Sequence, residues 1–262
     1  MKYGFIGCGN MGGAIARALS CATRDFMVTD RSGKAAILAE ELGVSYGDTQ
    51  SLVKNCDRLF LGVKPQMMQE VLAPLQGILR EKKPLLITMA AGLTTATIEE
   101  LAGCDLPVIR IMPNTPVAVG KGMTLYCRNR LVSDDILADF LSDLRFSGCL
   151  DALDEHLIDA ACSLSGCGPA YVYYFMDALA KGAIACGVPA DKALAYAAAT
   201  VAGAAEMLTA TGEEPQALIH AVCSPGGSTL AGMGVLKESD FSQTVEKCIA
   251  AAYKRNQELG KR

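Results

Sequence analysis

The fold is decided near the start of the chain by the stretch Gly4-Phe5-Ile6-Gly7-Cys8-Gly9-Asn10-Met11-Gly12. An apolar run at residues 3–6 predicts a strand, and a helical pattern at 12–22 follows the glycines. In this spacing Gly7 permits a tight turn, Gly9 lets the backbone approach a pyrophosphate, and Gly12 lets the helix pack on the strand. The stretch therefore predicts the first strand–turn–helix of a dinucleotide-binding domain.

Short apolar runs alternate with helical patterns through the rest of the first half. Continuously apolar strands separated by helices indicate a parallel sheet covered on both faces, and right-handed crossovers make such a sheet doubly wound. The predicted strands are residues 3–6, 26–30, 58–63, 85–89 and 108–112, with edge strands at 123–126 and 148–153. The predicted helices between them are residues 12–22, 32–42, 67–79 and 133–143.

From about residue 155 the strands cease and alanine-rich helical patterns follow. Several of these helices are apolar around most of their circumference and need further burial, which dimerisation would supply. The predicted helices are residues 157–164, 169–186, 191–208, 215–222, 229–238 and 243–259. The predicted fold is α/β, with an N-terminal doubly wound, Rossmann-type domain at residues 1–154 and a C-terminal all-α dimerisation domain at 155–262.

Composition and charge exclude several classes of protein. The 262 residues are 51% apolar and 20% charged, and the formal net charge of −4 argues against a nucleic-acid partner. Eleven scattered cysteines without a Cys-x-x-Cys pair predict no metal site, and with no secretory leader expected they fit reduced thiols in the cytoplasm. No membrane span is expected, because the uncharged run 193–205 is short and dominated by alanine.

A second informative stretch lies late in the chain, at Cys223-Ser224-Pro225-Gly226-Gly227-Ser228-Thr229. This Pro-Gly-Gly turn runs into a helical pattern, so that several backbone N–H groups face outward at the positive end of a helix. That geometry suits a small carboxylate, although an ordinary helix cap has the same sequence features. Together with the glycine motif, the turn predicts an enzyme that brings a dinucleotide and a small acid together.

The end of the second predicted strand bears on the choice of cofactor. Asp30 could accept the ribose hydroxyls of NAD, or it could cap the following helix. Arg31 and Ser32 could instead hold the 2′-phosphate of NADP. Two further loops, Val63-Lys64-Pro65 and Ala90-Ala91-Gly92, follow strands of the sheet and are either cofactor contacts or plain connections.

Over nearly its whole length the chain resembles the pyrroline-5-carboxylate reductase family. The resemblance implies reduction of the cyclic imine Δ1-pyrroline-5-carboxylate to L-proline by NADPH, with NADH possible. It also implies an intertwined homodimer whose active site combines one subunit's nucleotide domain with helices of its partner, and assembly of dimers up to decamers. Besides the glycine motif and the two loops above, the resemblance is carried by Arg110-Ile111-Met112-Pro113-Asn114-Thr115-Pro116, Leu164-Ser165-Gly166-Cys167-Gly168-Pro169-Ala170-Tyr171 and Ser224-Pro225-Gly226-Gly227-Ser228-Thr229.

The resemblance also implies roles for individual residues. The backbone N–H groups of Gly226, Gly227, Ser228 and Thr229 would hold the substrate carboxylate. The Thr229 hydroxyl would hydrogen-bond the ring nitrogen in catalysis, with simple capping as its alternative role. The implied cofactor-binding residues are Ile6, Gly7, Cys8, Gly9, Asn10, Met11, Gly12, Arg31, Ser32, Val63, Lys64, Pro65, Ala90, Ala91 and Asn114.

Two residues have alternatives that the sequence leaves open. Ser224 would help to form the substrate pocket or simply cap its turn. Glu155 would partner the cationic nitrogen of the substrate or an ordered water, or it would be a first-turn acid favoured by the helix dipole.

Two other functions fit the sequence less well. A β-hydroxyacid dehydrogenase needs a basic residue in its substrate helix, and the first lysine after the Gly166-Cys167-Gly168 turn, Lys181, is wrongly placed. A non-enzymatic dinucleotide sensor would have no need of the carboxylate-binding turn at 224–229.

Overall fold

The computed structural model describes residues 1–259, which form thirteen α-helices and eight strands in one sheet. The strands are β1 (Tyr3–Ile6), β2 (Phe26–Thr29), β3 (Ser45–Tyr46), β4 (Arg58–Leu61), β5 (Leu85–Thr88), β6 (Val108–Pro113), β7 (Gly122–Arg128) and β8 (Gly148–Ala152). The helices are α1 (Asn10–Ser20), α2 (Lys34–Leu42), α3 (Thr49–Asn55), α4 (Met68–Leu72), α5 (Gln76–Lys82), α6 (Thr95–Ala102), α7 (Asp134–Leu144), α8 (Glu155–Ser165), α9 (Gly168–Ala185), α10 (Ala190–Thr211), α11 (Pro215–Val222), α12 (Ser228–Glu238) and α13 (Phe241–Leu259).

The sheet has the strand order β3-β2-β1-β4-β5-β6-β7-β8. Strands β1 to β6 are parallel to one another, β7 is antiparallel to β6, and β8 is parallel to β7. The first six strands follow the doubly wound order, with β1 and β4 adjacent where the winding reverses. The predicted doubly wound domain is thus confirmed. Because these strands are parallel, the loops that leave β1, β2, β4, β5 and β6 all lie at one edge of the sheet.

Alternating strand residues supply two apolar cores, one on each face of the sheet. Phe5 faces α1, α2 and α7, whereas the next residue, Ile6, faces α3 to α6. On the first face the rings of Phe5 and Phe60 stack with centroids 4.3 Å apart. Helices on both faces thus bury strands that are mostly apolar, as is typical of parallel sheets.

Three elements of the sheet domain were missing from the sequence prediction. Strand β3 has two residues and α3 has seven, and neither carries a clear period; α6 has eight residues after the loop at Gly92. The predicted helix 67–79 is two helices, α4 and α5, separated by a 3₁₀ turn at Ala73–Leu75. Pro74 explains the break, because proline donates no hydrogen bond and its ring clashes inside a helix.

The chain divides into two compact units. The first comprises Met1–Pro169 together with the described residues after Ala250, and so includes α8. The second, Ala170–Ala250, contains α10, α11 and α12 with most of α9 and the first half of α13. The predicted boundary after residue 154 stays a prediction, and residues 260–262 of the predicted helical domain lie outside the described residues.

The second unit buries little of its own apolar surface. Its small core consists of Ala180, Ala193 and Ala197 with a few partly buried neighbours. Large apolar side chains are exposed on each of its helices; examples are Tyr174 (79% exposed), Leu194 (59%), Val222 (63%) and Val235 (70%). Apolar patches of this kind on a folded unit mark sites of interaction with another protein or with a membrane.

Among the described residues, α10 is the one helix with the length and apolar composition to cross a membrane. The sequence argument that this region is too short is wrong, because α10 has 22 residues and extends beyond the run 193–205 on both sides. The same helix carries Asp191, Lys192 and Glu206 within its length. A helix that is apolar on most sides also fits a buried position between subunits.

Candidate active site

The glycine motif forms a tightly packed turn between β1 and α1. Gly7 adopts φ +97°, a conformation that favours glycine. A Cβ at Gly12 would lie 2.2 Å from the carbonyl oxygen of Gly7. A Cβ at Gly62, the residue after β4, would lie 2.3 Å from the same oxygen. Three glycines from β1, α1 and β4 therefore let these elements meet backbone to backbone; the sequence analysis missed Gly62, although a glycine directly after a strand end is a readable signal.

Gly9 differs from its neighbours because the space beside it is open. Apart from the residues next to it in the chain, no atom of the described residues lies within 4 Å of the position that a Cβ would take there. Gly9 caps α1 without a side-chain hydrogen bond, and the first turn of α1 carries no acidic residue. The first amides of a helix have no intrahelical acceptors, and the helix dipole makes this end positive. The turn is thus open to an anion at the place predicted for a pyrophosphate.

A cleft of about 450 Å³ begins at this turn and runs over the ends of β1, β2 and β4. Of the predicted cofactor residues, eight line it: Ile6, Gly7, Cys8, Gly9, Arg31, Ser32, Val63 and Lys64. Other lining residues were not predicted, since α3, α4 and the 3₁₀ turns on either side of α4 bring them in from distant parts of the sequence: Thr49, Gln50, Met67, Glu70, Val71, Pro74 and Leu75. The volume and mostly apolar walls are typical of a ligand site, and with Gly9 they fit a dinucleotide.

The remaining predicted cofactor residues do not line this cleft. Asn10 lies exposed in a neighbouring depression between α1 and α2, Met11 packs against the first apolar core, and Gly12 is buried under the turn. Pro65 begins the 3₁₀ turn after Lys64. The loops that carry Ala90, Ala91 and Asn114 follow β5 and β6 and so lie at the same edge of the sheet.

The end of the cleft beside β2 is rich in charged groups. The carboxylate of Asp30 accepts hydrogen bonds from the Ser32 hydroxyl at 2.9 Å and from the Ala35 N–H at 3.1 Å. Asp30 therefore caps the start of α2, as one sequence alternative proposed. Arg31 donates from Nη1 to Oε1 of Glu70 at 2.7 Å.

Cys8 lies under the cleft as a neutral thiol. Burial raises the pKa of Cys8 to about 12, and the nearby Asp30 carboxylate adds to the effect. The thiolate is the reactive form of cysteine, so Cys8 is a packing residue at neutral pH.

Asn114 joins three elements at the end of β6. Its side chain is buried; Nδ2 donates to the Ser165 carbonyl at 2.9 Å, and Oδ1 accepts from the Met123 N–H at 2.9 Å. Both ends of the amide are thus committed to the backbone of α8 and β7. Whether Asn114 also contacts a cofactor stays a prediction, and its observed contacts fix the loop that follows β6.

Glu155 lies in a cluster with the fully buried Arg110. Its carboxylate accepts from the Thr95 N–H at 2.7 Å and from the Thr95 hydroxyl at 3.0 Å, at the start of α6. Arg110, 1% exposed, donates to Asp159 at 2.6 Å and lies 3.8 Å from Glu155. Burial and the adjacent Glu155 carboxylate raise the pKa of the Cys127 thiol to about 12. These contacts tie α8 to β6 and to the loop after Ala91.

The second candidate region is the Pro-Gly-Gly turn of the helical unit. The Gly227 N–H donates to the Ser224 carbonyl at 3.0 Å, and Gly226 adopts φ +73°. A Cβ at Gly227 would lie 2.5 Å from the Ser224 hydroxyl oxygen. Gly227 caps α12 without a side-chain hydrogen bond, and the first turn of α12 holds no acidic residue. Ser224, Ser228 and Thr229 are exposed beside amides that can bind an anion.

Comparisons with known proteins match both halves of the chain. A family described as "Pyrroline-5-carboxylate reductase dimerisation" matches residues 155–259, and one described as "NADP oxidoreductase coenzyme F420-dependent" matches residues 2–92. The pyrroline-5-carboxylate reductase of Escherichia coli is 36% identical, over 99% of this chain and 98% of its own.

Solved structures give the same result. The structure of a pyrroline-5-carboxylate reductase from Coxiella burnetii superposes with a TM-score of 0.90 at 34% identity, covering 100% of this chain and 99% of the other. The Plasmodium falciparum pyrroline carboxylate reductase with NADP bound superposes with a TM-score of 0.88 at 28% identity, covering 99% and 98%. With one sequence relative above a third identity across its whole length, the chain belongs to the pyrroline-5-carboxylate reductase family.

Proposed function

We propose that this protein reduces the C=N bond of Δ1-pyrroline-5-carboxylate to give L-proline, the last step of proline biosynthesis, with NADPH or NADH as the reductant. The observation that carries the proposal is the match to the E. coli reductase over 99% of the chain, which includes both the glycine turn and the Pro-Gly-Gly turn. A bound reduced nicotinamide would supply a hydride to the imine carbon. What the chain must add is binding, orientation and control of the proton on nitrogen.

In this proposal the dinucleotide lies in the cleft at the edge of the sheet. The amides at the start of α1 and the open space beside Gly9 receive its pyrophosphate. Arg31 and Ser32 bind the adenosine end, and Val63 and Lys64 line the opposite wall. The short side chains of Ala90 and Ala91, with the Asn114 loop, leave backbone accessible near the nicotinamide. Asn10, Met11, Gly12 and Pro65 shape the same loops.

The substrate carboxylate binds at the Pro-Gly-Gly turn. The amides of Gly226, Ser228 and Thr229 at the start of α12 supply donors and a positive helix end, while the Gly227 amide, which donates to the Ser224 carbonyl, fixes the shape of the turn. Thr229 hydrogen-bonds the ring nitrogen and keeps its proton in place while the nitrogen becomes an amine. Ser224 contributes its hydroxyl to the wall of this pocket. Positioning of this kind lowers the barrier without a metal or a covalent intermediate.

Glu155 enters the proposal as a positioning residue. The sequence predicted that it partners the substrate nitrogen or a water, and that direct role stays a prediction. Its contacts favour an indirect one, because Thr95 and Arg110 already engage its carboxylate at the base of the loops after β5 and β6. Glu155 would thereby hold the loops beside the nicotinamide.

We also propose that the protein is a cytoplasmic homodimer that binds neither nucleic acid nor membranes. The family match to a dimerisation region and the exposed apolar residues of α9 to α12 support the dimer. In a dimer α10 would lie between subunits. Eleven free cysteines support a reducing compartment. Assembly of dimers up to a decamer follows the family resemblance and is tested by particle mass.

The proposal is tested by the absorbance of NADPH in the presence of purified protein. Addition of Δ1-pyrroline-5-carboxylate should start rapid NADPH oxidation, and NADH should support the same reaction. A β-hydroxy acid with NADP⁺ should give no reduction. Activity with the hydroxy acid alone would identify a β-hydroxyacid dehydrogenase, and nucleotide binding without turnover of either substrate would indicate a sensor.

A further inference from the structure

An ion pair connects the two walls of the nucleotide cleft at its adenosine end. Arg31 follows β2 on one wall, and Glu70 lies on α4 on the other; both line the cleft. Arg31 Nη1 donates to Glu70 Oε1 at 2.7 Å. A contact between Arg31 and a 2′-phosphate is one alternative that the sequence offers, and the sequence indicates no role for Glu70. In the structure, the arginine that could bind the phosphate therefore already forms an ion pair with the carboxylate of Glu70.

Among the residues that line the cleft, Arg31 is the cation at this end. Asp30, Arg31, Lys64 and Glu70 are the charged residues of the lining. Asp30 is engaged by Ser32 and Ala35, and Lys64 belongs to the wall after β4. A 2′-phosphate entering beside Ser32 would need the guanidinium that Glu70 holds, since arginine binds phosphate through paired N–H donors.

The ion pair is weak enough for a phosphate to replace Glu70 as the partner of Arg31. The side chains of Arg31 and Glu70 are 67% and 60% exposed, and an exposed ion pair is only weakly stabilising. A phosphate with more negative charge than a carboxylate can therefore displace Glu70, but it must break the existing pair and tolerate the Glu70 charge nearby. A nucleotide without the 2′-phosphate leaves the ion pair intact. Its binding therefore neither breaks the pair nor places a phosphate beside the Glu70 charge.

We propose that Glu70 is a specificity-determining residue, which lowers the preference of this cleft for 2′-phosphorylated nucleotides by holding Arg31. The proposal rests on the proposed use of a nicotinamide dinucleotide in this cleft. The preference between NADPH and NADH then depends on Arg31 and Glu70, which lie on different walls of the cleft. Removal of the Glu70 charge should shift that preference towards NADPH.

The test measures binding of two ligands that differ only in the 2′-phosphate, adenosine 2′,5′-bisphosphate and adenosine 5′-monophosphate, by calorimetry on the full-length protein. Glu70→Gln should tighten the bisphosphate about two- to fivefold and leave the monophosphate unchanged, a range set by the strength of exposed ion pairs. Arg31→Ala should weaken the bisphosphate selectively. In the Arg31→Ala background, Glu70→Gln should have no further effect.

Glu81→Gln on α5 is the matched control, because it removes the same charge from an exposed residue outside the cleft lining. An unchanged ligand ratio in Glu70→Gln would overturn the inference, as would an equal change in the presence and absence of Arg31. Failure of both ligands to bind any variant or the parent protein would instead refute the proposed cofactor site. Steady-state KM values for NADPH and NADH should follow the same order.

Discussion

Gly9 and Gly12 lie three residues apart in the same turn, but a methyl group would meet different surroundings at each. At Gly12 it would contact the Gly7 carbonyl at 2.2 Å, and at Gly9 it would enter open space. Gly12→Ala should therefore lower the free energy of unfolding by about 1–3 kcal/mol, since backbone must move. Gly9→Ala should change stability by less than about 0.5 kcal/mol.

For nucleotide binding, in contrast to stability, we expect the larger effect from Gly9→Ala. Gly9→Ala should weaken NADPH roughly tenfold in a fluorescence titration, because the methyl group occupies the space proposed for the pyrophosphate and a mismatch of about 1.4 kcal/mol suffices. Thermal melts of the same samples supply the stability comparison. A Gly9→Ala protein that binds NADPH like the parent would contradict this placement of the pyrophosphate.

Thr229 is the residue on which the proposed chemistry at nitrogen depends. Thr229→Ala should reduce kcat on the order of 10- to 100-fold, the usual cost of one positioned polar group, and leave the Kd for NADPH unchanged. Thr229→Ser keeps the hydroxyl and should retain most of the turnover. If Thr229→Ala turns over as fast as the parent, Thr229 has no part in the reaction.

The candidate site could be read only in part from the sequence. The glycine turn and the Pro-Gly-Gly turn are local, because backbone conformation and helix starts depend on adjacent residues. Glu155 was a candidate from the sequence, but its clustering with Arg110 and Asp159 could not be found in this way, and neither could Glu70. Their partners lie 39 to 60 residues apart in the chain, and only the packing of α4, α6 and α8 on the sheet brings them together.

At the level of elements, helix α7 is held to β1 and β4 by a charged network at the edge opposite the nucleotide loops. Asp139 accepts from Lys2 at 3.2 Å and from Arg58, and Asp143 accepts from the Tyr3 hydroxyl at 2.7 Å. Burial alone would raise the pKa of Asp139, but the hydrogen bonds from Lys2 and Arg58 outweigh it and lower the pKa below 3.8.

This network makes part of the stability dependent on pH. A depressed carboxyl pKa contributes stability above the unfolded value, and that contribution is lost as pH falls through the folded pKa. Asp139→Asn should therefore lower the free energy of unfolding at neutral pH by up to about 1 kcal/mol, a figure limited by solvent screening. The difference between Asp139→Asn and the parent should begin to shrink near the ordinary value of 3.8 and be lost as the pH falls through the lower pKa of the folded protein.

Urea denaturation of both proteins at neutral and acidic pH measures this effect. Asp151→Asn, at an exposed aspartate on β8, is the control for loss of one negative charge and should show little change at either pH. A difference between Asp139→Asn and the parent that grows as the pH falls would show that the sign of the pKa shift is wrong.

Most elements could be predicted because their patterns are strong. Strands β1, β2, β4, β5 and β6 are mostly apolar, apart from Arg58 and Arg110, and the long helices from α9 onward have clear ends, such as Gly212 in the left-handed conformation after α10. The elements that were not predicted are short, namely β3, α3 and α6. Their stability comes from packing on the sheet, which no local pattern reports.

On the scale of the whole molecule, the helical unit is incomplete as a monomer. Its exposed apolar residues predict a particle at least twice the 27.5 kDa of one chain, as measured by light scattering. Leu194→Lys on α10, where the parent side chain is 59% exposed, should weaken the dimer about tenfold or more, because an interface would bury an unpaired charge.

Ile37→Lys provides the control, because Ile37 is 69% exposed on α2 of the nucleotide unit. It should leave the dimer mass unchanged. A parent protein that is monomeric at micromolar concentration, or an α10 that partitions into lipid vesicles, would contradict the dimer and its use of α10.

The central claim is that a nicotinamide cleft and a carboxylate-binding turn in one chain serve one reduction. The most direct measurement is the amount of L-proline formed for each NADPH oxidised when the purified protein is given Δ1-pyrroline-5-carboxylate. The account predicts equal amounts, with formation of L-proline abolished when either the imine or the nucleotide is omitted. NADPH oxidation without matching proline, or no oxidation when both are present, would contradict it.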